Sequence, residues 1–351
     1  MSTIEKERLY WLDNAKALAM MMVVLGHVQS DYFFINWIRS IHVPIFLIAT
    51  GILMTMKGNW GGAKHLLLKL WRPYLTFSIM AVIFITVYDW VESVEFKKNL
   101  VVNVYKTLSL YGIYAIWFIP AYFFAVTLIR AVHNNLHLYG QIATFLLLSL
   151  MAFVPDLIQY RFHLSSHAYV LVMYPLIAFC RGCVCSVYIF IGKLIGEYRN
   201  YQINKKLKNI GIPCSITLLV FSCLMFLHIP TYNLSNLDFS DNVVLGYIVS
   251  AFGSIGVLWL FYSIGNTEIK MGTYISKNSL IIMGTHMSLL LTVVSISIVS
   301  FLCGVTHEDI MNTLWEGLIC VLVIMLLEMP IISLLNGSLK SLLYNKNMVK
   351  K

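Results

Sequence analysis

Charge is what this sequence has least of. Only 12% of its 351 residues are Asp, Glu, Lys or Arg, against roughly 25% in soluble domains. In their place 59% are hydrophobic, and mean hydropathy is +0.77. So few charges cannot cover a water-facing surface, which excludes a soluble globular protein and points to an integral membrane one. Linkers are missing too: there is no Pro/Gly/Ser-rich stretch, no low-complexity segment and no evident internal repeat. Residues 1–351 therefore read as one polytopic domain. The first apolar run lacks a small-residue cleavage site, contains a histidine and leads at once into a second run, so it reads as a retained span rather than a signal peptide. The seven cysteines, Cys180, Cys183, Cys185, Cys214, Cys223, Cys303 and Cys320, lie mostly in apolar runs. Cys180, Cys183 and Cys185 resemble ligand spacing only loosely, and without a second pair no metal site is expected.

What is present is a succession of apolar runs, each long enough to cross ~30 Å of hydrocarbon as a helix. Ten are placed at about residues 14–34, 41–56, 73–90, 111–131, 141–154, 169–191, 210–228, 243–264, 278–303 and 312–335. The expected fold is all-α, a polytopic bundle of about ten transmembrane helices. Lys and Arg fall very unevenly in the alternate connections: 19 on one side, including Lys6, Lys57, Arg199, Lys205, Lys206, Lys208, Lys346, Lys350 and Lys351, against 5 on the other. Both termini are therefore expected in the cytoplasm. The net charge of +9 is then an inner-face property, and a nucleic-acid partner is not needed to explain it.

Against that background the polar residues inside the spans need a reason. In LDNAKALAMMMVVLGHVQ, residues 12–29, Lys16 and His27 are eleven apart. That spacing returns to the same helix face within about 20° and separates them by ~16 Å. Asp13 lies three before Lys16, where a helical pair can form. One stripe thus carries charge from the mouth of the span towards mid-membrane, a placement that costs several kcal/mol unless it faces the bundle interior or water. Histidine is also the side chain best suited to proton transfer near neutral pH.

In WIRSIHVPIFLIATGIL, Arg39 and His42 stand three apart at the outer side. Arg39 could hold an anionic or hydroxylated molecule or simply snorkel, and His42 could join His27 in a two-histidine outer site. KHLLLKLWRPYL places Lys69 and Arg72 three apart, just before Pro73, as a forked basic patch suited to phosphate. Trp117 precedes Pro120 at the outer part of the fourth span, the default place of an aromatic belt. Asn278, Ser279 and His286 fall at the start of the ninth span, where Asn and Ser read as a cap. Arg181 and Glu328 are intramembrane ionisable groups expected to face the interior, possible partners of each other. His163 and His167 have i,i+4 spacing, which would need a third ligand to bind metal.

The ordered motifs LDNAKALA, VVLGH, HVPIFLIATGIL, LKLWRPYL, WFIPAYF and ISKNSLIIMGTH resemble those of the acyltransferase-3 family of membrane O-acyltransferases. The likeness is to the shorter, fucose 4-O-acetylase-related members without a fused extracytoplasmic domain. The family's basic-residue-to-histidine pattern falls on Lys16 and His27. Its pair of basic residues before proline falls on Lys69 and Arg72, with lysine where many relatives have arginine. The resemblance implies a multi-pass enzyme of the bacterial inner membrane that takes acyl-CoA, typically acetyl-CoA, from the cytoplasm and acylates a hydroxyl of a lipid-linked or surface carbohydrate. It carries no resident cofactor.

Under that resemblance His27, with Lys16 and Asp13, is the catalytic group, either as general base or as a transient acyl carrier. Lys69, Arg72 and Lys16 hold the donor, and Arg39, His42 and Trp117 form the acceptor side. A secondary transporter or flippase of a sugar-containing substrate would also need intramembrane Lys, His and Arg. Such proteins often show inverted repeats or paired broken helices, and neither is visible in this sequence.

Overall fold

The computed structural model describes residues 8–29, 32–58, 63–92, 95–201, 210–229, 232–239 and 242–344. Of the basic residues counted for topology, Lys6, Lys205, Lys206, Lys208, Lys346, Lys350 and Lys351 lie outside them, as do the side chains of Lys57 and Arg199. The described residues are predominantly helical, and the one β-contact among them is an isolated bridge between Asn233 and Asp238.

Helix α1 (Tyr10–Val28) is followed by α2 (Phe33–Lys57), α3 (Ala63–Val91) and α4 (Phe96–Leu108). A 3-10 turn, Tyr114–Trp117, opens α5 (Phe118–Asn135). There follow α6 (Leu138–Ser149), α7 (Val154–Phe162), α8 (Ser166–Tyr201), α9 (Gly211–Phe226) and α10 (Val243–Ile264). The chain closes with α11 (Lys270–Thr285), α12 (Leu291–Cys303), α13 (His307–Asn312), α14 (Leu314–Asn336) and α15 (Lys340–Leu343). Among the described residues seven spans are long and apolar enough to cross a membrane, and α9 and α12 are shorter apolar helices. The architecture is an all-α polytopic bundle.

The bundle is ordered by what each helix shows to its surroundings. The outer helices carry exposed apolar stripes, such as Ile79, Ile83 and Val87 on α3 and Leu322 and Leu326 on α14. Lipid accepts these stripes without penalty, so packing between helices must come from close contact instead. The tightest contact joins α2 to α8. A Cβ at Gly51 would lie 2.0 Å from the Ile189 carbonyl, and one at Gly192 would lie 2.0 Å from that of Ile48. Only glycine at both positions lets the two backbones meet. Pro44 lies inside α2 and has no N–H to donate. The preceding turn is supported from outside by Ser254 of α10, whose hydroxyl donates to the Ile41 carbonyl at 3.0 Å.

Helix α1 sits at the centre, against α2, α10, α11 and α14. Trp11, Leu12, Ala15, Ala19, Met20 and Val24 are all buried, so the polar residues of α1 face protein rather than lipid.

Three departures from the sequence reading have local causes. The ninth run is not one helix: α11 begins at Lys270, stops at Thr285, and the chain turns before α12 starts at Leu291, with Leu290 at φ +55°. Asn278 and Ser279 are thus in mid-helix rather than at a cap, and His286 stands at the break. The presumed outer loop after α3 contains α4, an amphipathic helix clipped to α3 by Asn99 donating to Asp89 (3.0 Å) and Tyr74 to the Thr107 carbonyl (2.6 Å). It is too polar for the apolar-run criterion. His163 ends α7 in a left-handed conformation while His167 opens α8, so their spacing of four is not a helical one.

Candidate active site

Because only four residues separate α1 from α2 and the two helices pack together, they run antiparallel, and the N-terminal ends of α1 and α3 lie on the same side of the bundle. Lys16 on α1 and Lys69 on α3 therefore approach from that side. Arg39, His42, Trp117 and the segment between α9 and α10 belong to the other. All of them line one cavity of about 720 Å³, within the range of small-molecule sites. Its walls between the two ends are largely apolar, with Met20, Val23, Phe46, Ile119, Leu280 and Met283, and the hydroxyl-bearing Thr50, Tyr122 and Ser279 among them.

His27 is the residue that α1 offers to this space. Val23, Val24, Leu25, Gly26 and Val28 around it are buried, whereas His27 is exposed, and the surface it exposes is cavity wall. No hydrogen bond to its ring is made among the described residues. Lys16 lines the same cavity three turns away, as the eleven-residue spacing requires.

The end of α1 that carries His27 is held from two directions. Arg39 donates from Nε to the Gly26 carbonyl at 2.9 Å, and its second terminal nitrogen reaches the Gly26 and Gln29 carbonyls at 2.5 and 2.9 Å. A guanidinium there satisfies carbonyls that the helix end leaves unpaired and opposes its negative dipole end. Gln29 donates from Nε2 to the Ile310 and Thr313 carbonyls at 2.9 and 2.6 Å, tying α1 to the α13–α14 junction. Gly317 is the residue that leaves room for that amide. Tyr32 donates its hydroxyl to Gln29 Oε1. Arg39 is therefore a support of His27 as well as a lining residue, and its snorkelling alternative does not hold.

His42 also lines the cavity. Its Nδ1 lies 3.0 Å from the Ile38 carbonyl. A carbonyl only accepts, so Nδ1 carries the hydrogen and Nε2 keeps the lone pair. Trp117 is half-buried at the same end.

Two expected pairings come out differently. Spacing pointed Asp13 towards Lys16, but its two oxygens are engaged separately, one by Arg8 Nε at 2.6 Å and the other by the Ser276 hydroxyl at 2.7 Å. The carboxylate thereby seats α1 on α11 and is not among the cavity-lining residues. Arg181 and Glu328 do not face each other. Arg181 lies between the rings of Tyr111 (4.1 Å) and Trp117 (5.3 Å) and donates to the Tyr111 carbonyl at 2.6 Å. Glu328 is turned to the Thr285 hydroxyl, which lies 2.7 and 2.9 Å from its two oxygens and has one proton to share between them and the Ile281 carbonyl.

The basic pair divides as well. Lys69 faces the cavity, while Arg72, exposed on the next turn, donates to the carbonyls of Ser341 and Tyr344 at 3.0 and 3.4 Å.

One part of the site escaped sequence reasoning. Residues 232–239 fold into a tight turn in which the backbones of Asn233 and Asp238 exchange hydrogen bonds of 2.6 and 3.0 Å. Tyr232, Leu234, Leu237 and Phe239 are buried beneath it, and Asn233, Ser235 and Asp238 line the cavity. The visible signal was only the polar YNLSNLDF between two apolar runs, which reads as any outer loop would.

No curated protein and no solved structure matches the chain. A family-level match does exist: residues 9–333, which include every helix that shapes the cavity, match the acyltransferase domain family, and the chain therefore belongs to the acyltransferase-3 family of membrane acyltransferases.

Proposed function

We propose that this membrane acyltransferase is an O-acetyltransferase that takes its acetyl group from acetyl-CoA on the cytoplasmic side and delivers it to a hydroxyl of a lipid-linked or surface carbohydrate, in the inner membrane of a bacterium. The observation that carries this reading is the exposure of His27 into a cavity that has two amines at one end and a polar cluster at the other.

Coenzyme A is polyanionic, and the end of the cavity bearing Lys69 and Lys16 suits its phosphates as point-charge partners. Arg72 extends the same basic mouth from the surface. The apolar stretch between suits the pantetheine arm. At the far end Asn233, Ser235, Asp238, Asn36 and His42 offer the mixed donors and acceptors that a polyol requires, and Trp117 offers an aromatic face. His27 lies between. It takes the proton of the acceptor hydroxyl, the oxygen attacks the thioester carbonyl, the C–S bond breaks, and the proton leaves with the coenzyme A thiolate. Lys16, on the same stripe, guides the thioester inward. Asp13 acts at one remove, by fixing the α1 position that aims Lys16.

The test is the purified protein with radiolabelled acetyl-CoA and an isolated lipid-linked glycan fraction. Label should appear as an alkali-labile ester on sugar, and a strain lacking the protein should lose one ester from one sugar. If the protein neither binds nor consumes acetyl-CoA but moves a sugar lipid across vesicles, the transport alternative replaces this reading.

A further inference from the structure

We infer that His286 is a positioning residue for the reaction: its Nε2 is the acceptor that receives an N–H of the His27 ring when that ring takes up a proton. The inference rests on the function proposed above and assigns a role to a residue outside the cavity.

The two rings are neighbours, with centroids 5.3 Å apart and planes tilted by 41°. His27 opens on the cavity, whereas His286 is fully buried behind it and is not one of the lining residues. Its orientation is set from its own helix, because Nδ1 lies 2.7 Å from the Ile282 carbonyl. That nitrogen must be the one bearing hydrogen, so Nε2 holds a lone pair. Among the described residues Nε2 has no hydrogen-bond partner, although it is wholly buried. Polar atoms sealed inside proteins usually have one, and of the buried side-chain atoms without a partner this is the one whose ring stands against the His27 ring.

The helix break supplies part of that explanation. Because α11 stops at Thr285 and the chain turns through Leu290 before resuming, His286 projects at the depth of His27. Backbone irregularity at membrane depth is sustained only within protein or beside a cavity.

The other polar groups near His27 do not fill this role. Arg39 and His42, its neighbours from α2, differ in kind: Arg39 has no acceptor, and His42 stands in the cavity wall, where its lone pair meets substrate. Glu328 on α14 is turned to the Thr285 hydroxyl. Lys16 is three turns away along α1. A general-base histidine needs a partner for its second nitrogen to stay oriented and to spread the charge it gains. In this site a neutral imidazole takes the place that a carboxylate often holds. No proton crosses to His286; the proton from the acceptor hydroxyl stays on His27 until the thiolate removes it.

H286F, which keeps the ring and removes the acceptor, and H286Q, which returns an acceptor oxygen, should be compared as purified, monodisperse proteins. H286F should lower kcat roughly 30- to 100-fold, a loss within the usual range for acid–base assistance, and leave KM for acetyl-CoA within about twofold. H286Q should recover to within roughly tenfold of wild type. If H286F is not recovered folded, H286L takes its place against H286Q. Equal impairment of the acceptor-free and acceptor-bearing variants, or an unchanged kcat in H286F, overturns the inference while the wild-type activity upholds the acetyltransferase reading. A wild type that consumes no acetyl-CoA overturns both.

Discussion

Two groups of ionisable side chains lie within this bundle, and they are handled in opposite ways. Arg181, Glu328 and Lys193 are sealed, with relative exposures of 1%, 0% and 2%. Each is met by protein: Arg181 by the Tyr111 carbonyl and two aromatic faces, Glu328 by Thr285, and Lys193 by Gln141 at 2.8 Å and Glu197 at 2.9 Å. Lys16, His27, Arg39, His42 and Lys69 instead share the wall of one cavity. A charge withdrawn from water needs a partner or a wet surface. Sealing serves architecture, because a group enclosed by protein is out of a substrate's reach. Opening serves chemistry, since of these two groups only the second can touch a substrate.

Substitutions can break or sharpen that contrast. The largest effect is expected from H27A, which should cost acyl transfer roughly 10²- to 10⁴-fold and shift the thermal midpoint little, since it deletes a ring exposed to the cavity. If H27A lost its fold along with its activity, the distinction would fail at its central residue.

R181A should do the reverse first: losing a buried guanidinium leaves the Tyr111 carbonyl and two rings without their filling, at about 2 kcal/mol or more of stability, read as a lowered melting temperature in detergent. A Trp117 freed by R181A should then impair the acceptor side as a secondary effect. R39K comes next. A lysine cannot bridge the Gly26 and Gln29 carbonyls as a fork, and kcat should fall roughly tenfold, with wild-type expression.

The smallest effects distinguish the two halves of the basic pair. K69A should raise KM for acetyl-CoA roughly fivefold with little change in kcat, as expected for uniform donor binding. R72A, whose guanidinium is partly occupied by the Ser341 and Tyr344 carbonyls, should raise it less. The opposite order would mean that the donor lies along the surface of α3 rather than in the cavity mouth.

Much of this arrangement could be read before any coordinates. Every one of the ten apolar runs contains helix, with α10 at the expected residues 243–264, because a 20-residue apolar stretch has few alternatives in lipid. The shared face of Lys16 and His27 followed from helical geometry alone. Harder to see was what depends on residues far apart in the chain. Asp13 took Ser276, Arg39 took the end of α1, and Glu328 took Thr285. Spacing arguments compare only neighbours in sequence, so they favoured Lys16 for Asp13 and left only another intramembrane charge, Arg181, to suggest for Glu328. The break at His286 was hidden for a related reason: GTHMSLLL lies inside the run 278–303, which is apolar as a whole.

The sequence by itself determined the class of solvent, the helices and the one polar stripe, since each of these depends on composition and on a period of 3.6 residues. Only the tertiary structure decided which polar groups would be shut away and which would face a common space, because that choice is made by the backbones of α1, α2, α3 and the 232–239 turn closing round the cavity. Burial and partnership are properties of the packed whole, and a side chain's chemistry follows from them.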